Sequence, residues 1–227
     1  MQKIASSQKQ IGCIFDMDGV LFLSSDFHHQ AFCKVLENEP VQMLDYPELS
    51  GMRTDSAIQK VFEKSGIFLS RKKLEELVLR KRVFASKMLR KEPPVDPDCK
   101  KVIFELYRRG IPLALASSSS SKNVKLFLDS SGTRKYFAVI LSGDDVKKGK
   151  PDPEIYRTIR NFFGIIPKNC FVVEDSESGI RSAKSDGMNV IGLVSQHSHK
   201  ELKLFGAVTT ICRLDELLKL RVFGGEI

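Results

Sequence analysis

Ile11-Gly12-Cys13-Ile14-Phe15-Asp16-Met17-Asp18-Gly19-Val20 is an apolar run broken abruptly by carboxylates. A short apolar run of this kind reads as a buried strand. Asp16 and Asp18 stand just beyond its end, one residue apart, and Gly19 permits a sharp turn there. One such carboxylate can serve as a nucleophile and the other as an acid and base. A capped polar turn would look the same, so the stretch has to be weighed with the rest of the chain.

From Ser24 to Lys91 the pattern turns helical. Thr54-Asp55 is expected to cap a helix carrying Ile58, Val61 and Phe62 at helical spacing. Gly66 ends that helix and Ser70 opens the next, with Leu74, Leu77, Val78, Val83, Phe84 and Met88 along it. Glu92-Pro93-Pro94-Val95-Asp96-Pro97 cannot be helix interior and reads as a linker. Beyond it, strands alternate with helices. Strands are expected at 111–116, 137–141, 170–173, 190–194 and 207–211, with a short terminal helix at 214–220. Such alternation implies an α/β fold, a parallel sheet core with helices on both faces. The helical block interrupts it after the first strand. The expected organisation is therefore a core of residues 1–23 and 93–227 and an inserted α-helical cap of residues 24–92.

The 227 residues carry 36 Lys and Arg against 28 Asp and Glu, a net charge of +8. The basic residues are dispersed among acids, so Arg71-Lys72-Lys73 and Arg80-Lys81-Arg82 read as solvated helix faces. The charge favours a small anionic substrate over nucleic acid. Cys13, Cys33, Cys99, Cys170 and Cys212 are scattered, without a CxxC pair, which argues against disulfides and zinc; most read as buried thiols. No run approaches the roughly 20 apolar residues of a membrane span. Met1–Gln10 has no apolar signal core, so the expected setting is cytoplasmic, without a membrane partner. A monomer is expected because a cap must move.

In open α/β sheets, chemistry collects at the carboxyl ends of strands. Three further strand ends carry suspicious residues. Leu115-Ala116-Ser117-Ser118 places hydroxyls where they can donate to phosphate oxygens. Lys148-Gly149-Lys150-Pro151-Asp152-Pro153 places Lys150 just before a helix start, where an ammonium can offset carboxylates and phosphate. Val173-Glu174-Asp175-Ser176 gathers acids that need a cation or proton to neutralise them. Oxygen ligands of this kind favour Mg²⁺. His197 and His199 have metal-like HxH spacing but read as a polar loop.

Together these motifs resemble the haloacid dehalogenase superfamily, with a Rossmann-like core, and within it the β-phosphoglucomutase-like phosphatases and phosphomutases. The likeness is carried by Asp16-Met17-Asp18-Gly19-Val20, Ser117, Lys150-Pro151-Asp152-Pro153 and Glu174-Asp175, together with His28 and Gly51-Met52. It implies that Asp16 attacks phosphorus to form an aspartyl-phosphate. Asp18 protonates the leaving oxygen and then activates water. Asp16, the Asp18 carbonyl, Asp175 and Glu174 surround Mg²⁺, while Ser117 and Lys150 hold the phosphoryl group. Asp18 separates phosphate-ester chemistry from the dehalogenase branch, which lacks an acid there.

Ser118, His28, Gly51 and Arg53 are the expected substrate contacts. His28 could equally be a packing residue. The position five residues after Asp18, an acid in many relatives, is Leu23. Arg53 comes one residue earlier than the mutase pattern has it, which weighs against a mutase. The expected function is a Mg²⁺-dependent phosphatase of a small phosphorylated metabolite, a sugar phosphate foremost. A β-phosphoglucomutase-type phosphomutase is the alternative, followed by a non-catalytic binding protein.

Overall fold

The computed structural model describes residues 10–226. Residues 1–9, which include most of the segment read as lacking a signal core, lie outside the described residues. The central feature is a parallel sheet of six strands in the order β3-β2-β1-β4-β5-β6. The strands are β1 (Gly12–Phe15), β2 (Leu113–Ala116), β3 (Val139–Leu141), β4 (Cys170–Glu174), β5 (Asn189–Leu193) and β6 (Thr209–Ile211). The chain runs outward from β1 to one edge, then returns to build the other half. This is the Rossmann-like arrangement, and the crevice beside β1 is its switch point.

Side chains alternate across the sheet with period two. Cys13 and Phe15 of β1, with Val173 of β4 and Ile191 of β5, face one apolar cluster. That cluster is closed by α5 (Cys99–Arg108) and α6 (Ser121–Ser131). Ile14, Val172 and Val190 face the other, closed by α7 (Glu154–Phe163), α8 (Glu177–Ser185) and α9 (His199–Phe205). The strands are apolar on both faces because helices cover both.

Between β1 and α5 lie α1 (Ser25–Leu36), α2 (Tyr46–Leu49), α3 (Thr54–Lys64) and α4 (Arg71–Lys91). They bury their own cluster, including Phe32, Val35, Leu49, Ile58, Val61 and Leu77. The two chain connections to this insert run side by side: Leu23 N donates to Pro94 O, and Asp96 N donates to Leu21 O.

Several local expectations need correction. Thr54 is the first residue of α3, and neither it nor Asp55 caps the helix: the cap position is Arg53, which makes no side-chain cap bond. The Asp55 carboxylate is instead drawn to the Arg53 guanidinium, 2.7 Å away. Ser70 does cap α4, accepting from Lys73 N. The buried stripe of α4 is Leu77, Lys81, Ala85 and Leu89, four residues apart. Lys81 is therefore not on a solvated face, and Val83 is outside the stripe and exposed. Cys33 and Cys212 are exposed, whereas Cys13, Cys99 and Cys170 are buried. His199 starts α9, whose capping box of Ser198 and Glu201 was readable as S-x-x-E. His197 packs edge-on against Phe205, while His199 contacts Thr210 and Cys212, so the two histidines share no site.

Candidate active site

Sheet register brings the motifs together. Phe15 is paired with Leu115 on one side and Val173 on the other. The residues just past these pairs, Asp16, Ser117 and Asp175, must emerge within neighbouring strand spacings of about 5 Å. Asp16 N donates to Val173 O and Ser117 N to Leu141 O, so both residues leave the sheet while still anchored to it.

Lys150 arrives from the loop before α7. Its buried ammonium donates to the Asp16 carboxylate, to Glu174 at 2.7 Å and to Ala116 O at 3.2 Å. Burial pushes a lysine toward neutrality, but Asp16 and Glu174 more than offset it and hold Lys150 charged. Glu174 accepts from five donors: Lys150 Nζ and Tyr156 Oη at one oxygen, and Asp175 N, Ser176 N and Ser176 Oγ at the other. Asp175 is oriented by Ser195, whose hydroxyl donates at 2.6 Å. Gly19 has φ +82°, and a side chain there would run into the Asp175 carboxylate.

Asp18 is held from the insert and from the serine loop. Ser24 Oγ and His28 Nε2 reach one carboxylate oxygen at 2.5 and 3.0 Å. Ser119 Oγ and Ser117 Oγ reach the other at 2.7 and 3.3 Å. Burial disfavours its charge, but His28 and these hydroxyls outweigh burial and hold Asp18 well below the usual carboxylate range. Behind His28, Lys81 Nζ stands 3.0 Å from Nδ1 and 4.3 Å above the Phe32 ring. Burial pulls Lys81 down to about 7. Burial, and next to it Lys81, also lower His28.

His28, Gly51 and Ser118 line the cleft over Asp16 and Asp18; Arg53 does not. The Arg53 guanidinium donates to Val146 O, Lys147 O and Asp55 instead. Ser118 spends its hydroxyl on Gly51 O at 2.6 Å. Ser178 likewise donates to Ser50 O, and Arg82 of α4 pairs with Asp144. These contacts draw the insert onto the sheet ends and leave a cavity of about 30 Å³.

Ser24, Lys81, Ser119, Tyr156 and Ser195 were not anticipated from sequence. Lys81 was discoverable in principle, since it falls four residues from both Leu77 and Ala85 on the apolar stripe. Ser195 follows an apolar strand, as Ser117 does, which was the only signal for it.

Oxygens of Asp16, Glu174 and Asp175 lie within 4.8 Å of one another. All three residues are buried, and Lys150 contacts Asp16 and Glu174 directly. Burial drives the Asp16 carboxyl well up, opposed by Lys150. Burial and then Glu174 push Asp175 up to about 7. The cluster is short of positive charge, and its hard oxygen donors fit a divalent cation of the Mg²⁺ type.

Comparison with known proteins agrees with this geometry. The chain is 33% identical over 218 residues to a phosphorylated carbohydrates phosphatase of Thermotoga maritima, covering 91% of this chain and 96% of that protein. It is 28% identical to the β-phosphoglucomutase of Bacillus subtilis over 79% of this chain and 81% of that one. Among solved structures, CbbY from Rhodobacter sphaeroides in complex with phosphate superposes with a TM-score of 0.77 at 27% identity, covering 94% of this chain and 99% of that one. The model of the haloacid dehalogenase-like hydrolase family matches residues 13–193, which reach the carboxyl end of every strand except β6, and the chain belongs to that family.

Proposed function

We propose that the chain is a Mg²⁺-dependent phosphatase of a small phosphorylated metabolite, with a sugar phosphate as its substrate class. The observation that carries this reading is the pairing of Asp16, against a charged Lys150, with an Asp18 whose carboxylate is held apart by Ser24, His28 and Ser119. Two neighbouring carboxylates in different environments divide nucleophile from acid and base. The Thermotoga maritima relative, named as a phosphorylated carbohydrates phosphatase, supports the substrate class.

Asp16 attacks phosphorus, forming an O–P bond as the bond to the ester oxygen breaks. Asp18 delivers a proton to that leaving oxygen. Because Asp18 is a carboxylate in the free protein, it takes up this proton as the anionic phosphate arrives beside it. In the second half, Asp18 takes the proton back from a water that attacks the aspartyl-phosphate, releasing phosphate and restoring Asp16. Lys150 and Ser117 hold the phosphoryl oxygens. Positioning and charge neutralisation supply most of the rate in such a transfer.

Asp16 and Asp175 would hold the Mg²⁺, each retaining one carboxylate oxygen free of the hydrogen bonds described, with the Asp18 main-chain carbonyl. Glu174, whose oxygens already receive five donors, supports the ion by charge and anchors Lys150. When bound, Mg²⁺ would polarise the phosphoryl group and offset the acids.

The insert acts as a cap. About 30 Å³ accommodates roughly two waters and no sugar. The insert must therefore swing open to admit substrate, the paired connections at Leu21–Leu23 and Pro94–Asp96 serving as hinge, and its closure excludes bulk water.

A phosphomutase reading is favoured by the B. subtilis relative. It requires a second phosphate site on the cap, for which Arg53, Thr54, Lys60 and Lys87 are the natural candidates. Thr54 lines the cleft, but the three cations do not: Arg53 is committed to core carbonyls, Lys60 donates to Glu48 O, and Lys87 lines a separate cleft. That dispersal favours hydrolysis. The test is phosphate release from a panel of phosphomonoesters with Mg²⁺ and with EDTA, each sugar phosphate also being analysed for an isomeric product. Metal-dependent release supports the phosphatase; isomerisation without release replaces it with the mutase.

A further inference from the structure

We infer that Arg53 is a positioning residue that transmits closure of the insert to Lys150. The inference rests on the phosphatase reading above, in which Lys150 holds the phosphoryl group. Residues 146–149 lead directly into Lys150, and they are gripped from two sides. From the insert, Arg53 Nη1 donates to Val146 O at 3.0 Å and to Lys147 O at 3.2 Å. From the core, the Glu154 carboxylate accepts from Lys147 N and Lys148 N, both at 2.9 Å. The aliphatic stem of Arg53 lies on Gly149, where an added Cβ would press into it. Asp55 fixes the guanidinium from its own helix at 2.7 Å.

This arrangement spends Arg53 on backbone, not on substrate. One planar fork holds Nη1 on two successive carbonyls while Nη2 is fixed by Asp55, a divided arrangement that a lysine's single ammonium cannot reproduce with the same geometry. Arg82 also reaches this loop from the insert, at Asp144, but on the far side of Val146 from Lys150. When the insert swings away, Val146 and Lys147 lose their Arg53 donors and the segment before Lys150 loosens. When the insert docks, the loop is clamped and the Lys150 ammonium is set against Asp16. The latch is also built to release. Arg53 Nε is buried without a hydrogen-bond partner, and an unsatisfied buried donor disfavours the docked state. Opening returns it to water. Arg53 thereby makes an effective phosphoryl clamp conditional on a closed, water-excluding site.

The experiment compares the full-length protein with Arg53→Ala, Arg53→Lys, Gly149→Ala and the Arg53→Ala/Gly149→Ala double variant. Steady-state hydrolysis of p-nitrophenyl phosphate with Mg²⁺ is measured alongside amide hydrogen exchange across residues 142–152. Arg53→Ala should lower kcat by roughly 30- to 100-fold, the scale of a misplaced catalytic group, with KM changed less than about threefold. Exchange across the loop should rise, while exchange in β4 stays as it was. Added guanidinium should restore part of kcat, and Arg53→Lys should not. Gly149→Ala should act in the same direction, and the double variant should be little worse than Arg53→Ala, as expected of two halves of one contact.

A raised KM with kcat unchanged would overturn the proposal and return Arg53 to the substrate. Unchanged loop exchange, or full additivity of the two variants, would also overturn it. If the wild-type protein hydrolyses no phosphomonoester, the phosphatase reading fails, and hydrogen exchange alone still decides whether Arg53 couples insert and loop.

Discussion

Lys81 Nζ stands 3.0 Å from His28 Nδ1, on the side of the imidazole opposite Asp18. Both residues belong to the insert, Lys81 on α4 and His28 on α1, whereas Asp18 belongs to the core. The hydrogen-bond chain therefore fixes the imidazole tautomer. The ionised Asp18 carboxylate can only accept, so the imidazole proton lies on Nε2, directed at it, and Nδ1 is left to accept from Lys81 Nζ. The orientation of Asp18 depends on an insert residue that depends in turn on a second one. Removing either should disturb the acid and base without touching Asp16.

Lys81→Met tests this and has a pH signature. Burial brings Lys81 to about 7 in the folded protein, against about 10.4 when unfolded. Between those values the unfolded chain holds a proton that the folded chain does not. Wild-type stability should therefore rise with pH across that window, by at most about 1.4 kcal/mol per unit. Below about pH 7 the buried ammonium carries its full cost. The methionine variant lacks this slope. Urea midpoints at pH 6.5 and 9.5 should converge for the variant relative to wild type, and kcat should fall about tenfold, part of what a positioned acid and base supplies. Parallel pH dependence in both proteins would refute the assignment.

The sequence made some of this legible for identifiable reasons. Asp16, Ser117, Glu174 and Asp175 are readable because apolar strands end abruptly at them, and parallel register makes such ends converge. Lys150 is readable from the Lys-Pro-Asp-Pro context of the following helix. Lys81 was hidden because its immediate neighbours, Arg80 and Arg82, are charged, and a lysine in a basic cluster looks solvated. Only its place on the stripe with Leu77, Ala85 and Leu89 betrays it. Arg53 lies on core carbonyls and not in the cleft because spacing along a chain does not say which of several carbonyls or ligands a guanidinium will meet. Closure of the insert decides that, through contacts such as Arg53 with Val146 that join residues 93 positions apart.

Asp16→Asn should leave the protein folded while reducing steady-state phosphate release to background. The buried Asp16 carboxylate is under strong pressure to neutralise, so its amide should be tolerated or stabilising in metal-free protein. Mg²⁺ should raise the wild-type Tm and EDTA should reverse the rise, and Asp175→Asn should abolish it. A Mg²⁺-induced shift of unchanged size in Asp175→Asn would remove Asp175 from the ion site.

Tyr156→Phe isolates the support beneath Lys150. Tyr156 is fully buried, with its hydroxyl 2.8 Å from Glu174 and its ring 4.8 Å from the Lys150 ammonium. Phenylalanine keeps the ring under the cation and removes one donor from Glu174. Loss of a hydrogen bond to a buried charged group should cost about 1.5–3 kcal/mol, read from urea denaturation. The effect on KM should be small, since Tyr156 is outside the cleft lining. A stability change under about 0.5 kcal/mol would show that the hydroxyl contributes no more than a surface substitution.

Gly51→Ala tests closure itself. Gly51 has φ +70°, and an added Cβ would meet the hydroxyls of Ser176 and Ser178. The left-handed backbone alone costs a non-glycine residue about 1–2 kcal/mol. The collision adds a second effect that acts only when the insert is docked, because Ser176 and Ser178 belong to the core. Ser178 also donates to Ser50 O, and Ser118 to Gly51 O, so displacement of this turn breaks both latches. The variant should therefore populate an open form. Its radius of gyration by small-angle scattering should increase, and kcat/KM for sugar phosphates should fall by at least about tenfold, as expected when a catalytic group is misplaced by an ångström or so. Wild-type kinetics together with an unchanged radius of gyration would show that the docked insert tolerates the methyl group and that this turn does not control closure.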